Sequence, residues 1–151
     1  MIDAHPSEFV QSSYDKNNEF AIDIIENYLI GKGYTIIPKA EDYGIDMIVE
    51  KDGERLLFEV EVKTGRKFTT KRTFPFDTVS FLGRKSKWVD TPFWYAIVCK
   101  ETEYALFAHS SVIFKDEYKE VSYVGTSDRD GLDEFYRVPK ELCYFGKVRE
   151  I

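Results

Sequence analysis

Apolar residues recur at helical spacing through "KNNEFAIDIIENYLIG", residues 16–31, where Ala21, Ile24, Ile25 and Tyr28 share one face. This predicts an amphipathic helix, with Asp15 as its N-cap and the glycines of "GKG" as its stop. The period then shortens to two. "YTIIP" predicts a short strand ended by Pro38, and "GIDMIVE" and "ERLLFEVEVK" predict a hairpin turning at "KDG", where Gly53 accepts positive φ. A Thr- and Phe-rich loop follows over 68–76, then a strand at "DTVSFLG" and a turn at "RKSKW". "FWYAIVCK" and "YALFAHS" predict two strands paired across "ETE". The last third is patterned less sharply. "VIFKDEY" reads as a short helix, and "EFYRVPKELCYFGKV" as ending in an edge strand, since Pro139 is disfavoured inside a sheet. The sum is a mixed sheet of about five strands with helices packed on it, α/β or α+β. Without repeats or linkers, residues 1–151 read as a single domain.

One strand departs from simple amphipathicity. Side chains alternate across a strand, so Phe58, Val60 and Val62 form a core face in "LLFEVEVKTGRK". Leu57, Glu59, Glu61 and Lys63 fall on the other. Taken alone, this fits a solvated face of a one-sided sheet. The preceding strand adds Asp46, set between Ile45 and Met47 just after Gly44. A carboxylate in an apolar strand is costly unless partnered or near water. Counting from Gly53, Asp46 and Glu61 fall near opposite each other across the hairpin. Facing carboxylates repel, and a divalent cation removes that penalty. Asp46, Glu61 and the carbonyl of Val62 form an oxygen set of the kind Mg²⁺ takes, with Lys63 pointing into the same site.

Charge distribution sharpens this. The chain is −6 overall, but residues 63–87 hold eight cations against one acid, Asp77, a local charge of +7 that leaves −13 for the rest. Local fields govern polyanion binding more than net charge does. Arg66, Lys67, Lys71, Arg72, Arg84, Lys85 and Lys87 are therefore candidate phosphate contacts; a solvated basic loop is the plainer reading. Phe68, Phe74 and Phe76 lie among them as candidate stacking residues, or as caps on the core. Cys99, Cys143, His5 and His109 are not at zinc-site spacing. No apolar run approaches the roughly 18 residues that span a bilayer, and the N-terminus lacks the pattern of a secretion signal. The expectation is a cytoplasmic protein with reduced thiols and no membrane partner.

The residues "GID" and, fifteen positions after the Asp, "EVK" resemble the signature of the PD-(D/E)xK nuclease superfamily, within "YLIGKGY", "YGIDMIVEKDG" and "FEVEVKTGRK". The likeness covers roughly residues 16–100 and is closest to the restriction-endonuclease-like and Holliday-junction-resolvase-like branches and small phage nucleases. Ile45 stands where the nominal proline would be. The resemblance implies a restriction-endonuclease-like sheet and hydrolysis of DNA phosphodiesters with Mg²⁺ or Mn²⁺. Asp46 and Glu61 would be metal ligands, and Lys63 would stabilise charge or take a proton from water. The charge-stabilising role ranks first, since two neighbouring carboxylates favour a cation. Members often add an acid from the first helix. Of Glu19, Asp23 and Glu26, Glu19 is chosen, although all three equally fit a solvated stripe. Glu59 is an extra acid without an assigned role. The expected partner is DNA, branched or single-stranded forms included, and a homodimer would suit cutting two strands. The competing readings are a catalytically silent nuclease-fold module that binds nucleic acid or protein, and a structural protein of a phage or mobile element.

Overall fold

The computed structural model describes residues 6–39, 44–63, 67–83, 91–123 and 132–148. Helix α1 spans Pro6–Gly31 and so begins earlier than its apolar period, placing Asp15 inside the helix and not at its cap. Ser7, Gln11, Ser12 and Ser13 ahead of Lys16 dilute the pattern without breaking a helix, because their intrinsic penalties are small. The stop is as read from "GKG". Gly33 takes a φ of 95°, its N–H bonds Ile30 O at 3.0 Å, and the Tyr34 N–H bonds Leu29 O at 3.0 Å, which closes the helix end.

Strands β1 (Thr35–Ile36), β2 (Met47–Lys51) and β3 (Glu54–Lys63) follow. Asp52 and Gly53 turn the β2–β3 hairpin with φ values of 53° and 80°. Two positive φ angles make the two-residue turn whose twist matches the strands. The remaining strands are β4 (Thr78–Leu82), β5 (Trp94–Cys99), β6 (Tyr104–His109), β7 (Lys119–Tyr123), β8 (Leu132–Pro139) and β9 (Tyr144–Lys147). Six of them form one mixed sheet in the order β1-β2-β3-β5-β6-β9, in which only β3 and β5 run parallel. The other three form an antiparallel sheet in the order β4-β8-β7. The molecule is thus a mixed α and β structure with two sheets where the sequence pattern predicts one. Alternation marks β4 as a strand, but its partner β8 lies far along the chain, with Val79 level with Val138.

Both faces of the large sheet are covered. Helix α1 places Ile24, Ile25 and Leu29 against Phe58, Val60, Ala96 and Val98. The small sheet places Val79, Phe81, Tyr136 and Val138 against Tyr95, Ile97 and Leu106 on the opposite face. A strand buried on both sides reads as a continuous apolar run, which is what "WYAIVC" of β5 is. Pro139 ends β8, and β9 is an edge strand of the large sheet. A short helix, α2 (Ser110–Ile113), and a 3₁₀ turn over Asp116–Tyr118 stand where "VIFKDEY" predicts one helix. His109 caps α2: its Nδ1 accepts the Ser111 N–H at 3.3 Å and lies 2.8 Å from Ser111 Oγ, a structural role. Among the described residues no helix is long and apolar enough to cross a membrane.

Phe81 ties the sheets together, with its ring edge-on to Tyr95 at 4.8 Å and no exposed surface. Phe81→Ala is expected to destabilise the fold by about 3–5 kcal/mol, measured by urea unfolding. A loss under about 1 kcal/mol would mean that the small sheet is not a cooperative part of the core.

Candidate functional site

The charged positions of β3 do not face solvent. Parallel pairing sets Glu59 level with Tyr95, Glu61 with Ile97 and Lys63 with Cys99. Tyr95, Ile97 and Cys99 belong to the core under the small sheet, so the charged face of β3 lies in the layer between the sheets. Glu59 is 0% exposed, while Glu61 and Lys63 are half-buried toward the end of the strand. Desolvated carboxylates require hydrogen-bond donors, and the fold supplies them to Asp46 and Glu61, whereas the buried Glu59 Oε1 receives none among the described residues.

Two contacts fix the acids. The Val60 N–H donates to Asp46 Oδ2 at 2.8 Å. The side chain of Asp46 thereby takes up a backbone donor of β3 just before β2 begins, and the carboxylate is held against β3. On the other side, Tyr95 Oη donates a hydrogen bond to Glu61 Oε2. Burial pushes the Tyr95 phenol well above its ordinary pKa, and the charge and hydrogen bond of Glu61 push it the same way; a backbone hydrogen bond at Leu82 opposes them. Tyr95 therefore keeps its proton at neutral pH and acts as a hydrogen-bond donor to Glu61.

The hairpin register corrects one expectation. Lys51 pairs with Glu54 and Met47 with Phe58, so the next step sets Asp46 level with Glu59, with Glu61 one diagonal further. The turn pivots between Asp52 and Gly53, and not on Gly53, which shifts the residue level with Asp46 by one, from Val60 to Glu59. Diagonal side chains on one face remain neighbours, about 7–8 Å apart between their backbones. Glu59, Glu61 and Lys63 share one face of β3, and Asp46, in the bend just before β2, is held to the same strand through the Val60 N–H. Glu59, which pattern alone could not place, sits innermost.

Glu19 is not brought to this face. It is exposed on α1, which packs on the opposite side of the large sheet. Asp23 is also exposed, and Glu26 has its carboxyl pushed up by partial burial and by Asp23. Of the candidate phosphate contacts, Lys67, Lys71 and Arg72 are exposed, and Lys71 Nζ reaches Glu141 O at 3.3 Å. Arg66, Arg84, Lys85 and Lys87 lie outside the described residues. The 68–76 loop is ordered: Thr73 Oγ1 accepts the N–H groups of Thr69 and Thr70 at 2.7 and 3.0 Å. Phe68 and Phe74 are core residues at 1% and 5% exposure, packed edge-on to Phe145 at 5.8 Å each, and they are not available to stack on bases. Phe76 alone of the three is exposed, at 44%.

Among the described residues, no three or more His, Cys, Asp or Glu side chains converge to hold a metal. A cation here would depend on two carboxylates, a backbone carbonyl and water, all oxygen donors, which is a mix that suits Mg²⁺. Sequence reasoning missed Tyr95. Its signal is present in "FWYAIVCK", where Tyr95 alternates with Ile97 and Cys99, but only the parallel β3–β5 register shows that it meets Glu61.

The buried thiol of Cys143 is pushed up to about 12, chiefly by burial and further by Glu141, against the pull of Lys71. A group whose acid form is retained in the fold but lost on unfolding contributes stability that is complete below its unfolded pKa. That stability then falls as pH rises from about 9 toward 12. Melting temperatures measured from pH 8 to 11 should therefore decline less steeply above pH 9 in Cys143→Ala than in the parent chain. Parallel curves would show that the thiol titrates alike in both states.

No protein-family model matches this chain, and no curated protein matches it significantly.

Proposed function

We propose that the protein is a metal-dependent nuclease of the PD-(D/E)xK type that hydrolyses phosphodiesters in DNA. The observation that supports this most is that Asp46 is hydrogen-bonded to β3 at Val60, next to Glu61 on the strand that also carries Lys63, with both acids held by donors from the fold. The mixed sheet preceded by α1 is compatible with a restriction-endonuclease-like architecture. In this reading Asp46, Glu61 and the Val62 carbonyl hold Mg²⁺ or Mn²⁺. When bound, the ion would supply Lewis-acid polarisation and an acidified water. Asp46 is kept in place by the Val60 N–H and Glu61 by the Tyr95 hydroxyl, so neither carboxylate must be ordered when substrate arrives. The Lys63 ammonium offsets negative charge developing on the phosphoryl oxygens. The exposed Lys67, Lys71 and Arg72 follow in the chain and contact the phosphate backbone without reading sequence.

A second reading is favoured by the burial of Glu59 and by the Tyr95–Glu61 hydrogen bond. Both suit a buried polar cluster that fixes the packing of the two sheets in a nuclease-like binding module without catalysis.

The two separate in a cleavage panel on branched, single-stranded, duplex and RNA substrates with Mg²⁺ or Mn²⁺. Asp46→Asn, Glu61→Gln and Lys63→Met should each lower cleavage by at least about 100-fold while the circular dichroism spectrum is unchanged. EDTA should abolish it. Cleavage that survives the chelator, or all three substitutions, rules the nuclease reading out.

A further inference from the structure

The face of the large sheet opposite Glu61 carries a second feature. Helix α1 crosses over β3 and leaves the β5-β6-β9 end only partly covered. There Trp94 of β5, Phe107 of β6 and Tyr144 of β9 form one wall of an open groove of about 430 Å³, and Tyr28 and Lys32 at the end of α1 form another. The volume lies within the ~300–1,000 Å³ typical of ligand clefts. Its lining is aromatic and cationic. The Tyr28 ring lies against Phe107 at 6.0 Å and 25°, Lys32 Nζ is 5.5 Å from the Tyr28 ring, and Lys51 Nζ is 5.4 Å from the Tyr34 ring. The residues that line the groove include no carboxylate. In a chain of net charge −6, this is a local reversal of sign.

Tyr144 is 68% exposed, unusually high for so large an aromatic side chain in a strand. It lines a second depression as well, of about 380 Å³, together with Thr70, Lys71, Cys143 and Phe145. Lys71 belongs to the basic loop on the other face of the sheet. Tyr144 thus stands at the sheet edge between an aromatic groove with lysines on one side and a lysine-bearing hollow on the other.

We propose that a single-stranded nucleic-acid segment passes over this edge, with a base stacked on Tyr144, a neighbouring base entering the Trp94–Phe107 groove, and phosphates held by Lys71 and Lys32. Charge selects this occupant: aromatic faces offer stacking to any planar apolar ligand, but ammonium groups at both ends of the path favour an aromatic polyanion. The groove is open at its sides, as a strand that enters and leaves requires. This inference rests on residues separate from the Asp46–Glu61–Lys63 cluster and stands whether or not that cluster hydrolyses DNA.

The test is fluorescence anisotropy with a labelled oligothymidylate of roughly 10 nucleotides, within the span of about 4–16 that such sites cover. Tyr144→Ala should weaken binding about tenfold, as the loss of one stacked base does, and Tyr144→Phe should restore it. Lys32→Glu and Lys71→Glu should each weaken binding and flatten its dependence on salt. Binding is measured in EDTA, so that loss of metal-dependent cleavage and loss of strand binding are read apart. Equal affinity in Tyr144→Ala and the parent chain would overturn the proposal. So would absence of binding by the parent chain, an affinity for thymidine monophosphate equal to that for the oligomer, or stronger capture of an acidic amphipathic peptide by the same groove.

Discussion

The structure depends on how carboxylates are accommodated between two sheets. Removing an ionised group from water costs several kcal/mol unless donors replace the lost hydration. Here two of the donors are structural groups of the large sheet itself. The Val60 N–H belongs to β3 and would otherwise seek a strand partner, while the Tyr95 hydroxyl belongs to β5. The acids and the sheet therefore stabilise each other: just before β2 begins, Asp46 takes the place of a backbone acceptor, and Glu61 fixes the tip of Tyr95, the largest fully buried side chain among the described residues. Removing either carboxylate leaves a donor behind, and removing either donor leaves a half-buried carboxylate with one hydrogen bond fewer.

That mutual dependence bears on how much was legible beforehand. The β2–β3 hairpin was, because Asp52-Gly53 is a local turn signal and the strands alternate around it. The strands β5 and β6 were legible for the same reason, as was the stop of α1 at Gly33. Glu59, Glu61 and Lys63 were legible as one face of β3 because side chains alternate along a strand, whereas the contact of Asp46 with β3 depends on the bend before β2. What pattern could not supply was partnership across long sequence separations. The charged face of β3 reads as solvated or cleft-facing until β4 and β8 are known to cover it. Phe68 and Phe74 could be read as caps on the core or, because they lie among cations, as stacking residues; the loop folds back and buries both rings against Phe145, which settles them as core. Tyr144 was passed over in a weakly patterned region, and only the register of β9 on β6 sets it beside Phe107 and Trp94.

The two sides of the large sheet also divide the chemistry. On the side under the small sheet, polar groups are few, buried and held by specific donors, an arrangement that favours fixed geometry. On the α1 side, rings and lysines are partly exposed and their contacts are loose, an arrangement that tolerates varied ligands. The strand β5 serves both, since Tyr95 points into the first layer and Trp94 into the second.

The long separation between β4 and β8 has a consequence for how the chain assembles. Local contacts form before distant ones, because closing a long loop costs entropy before any contact repays it. The β2–β3 hairpin and α1 can thus come together while the small sheet is still incomplete. Until β8 joins β4, Glu59, Glu61 and Lys63 stay hydrated on the open side of the growing sheet. In that interval the same charges that must later be desolvated keep an unfinished strand face from associating with another copy of itself.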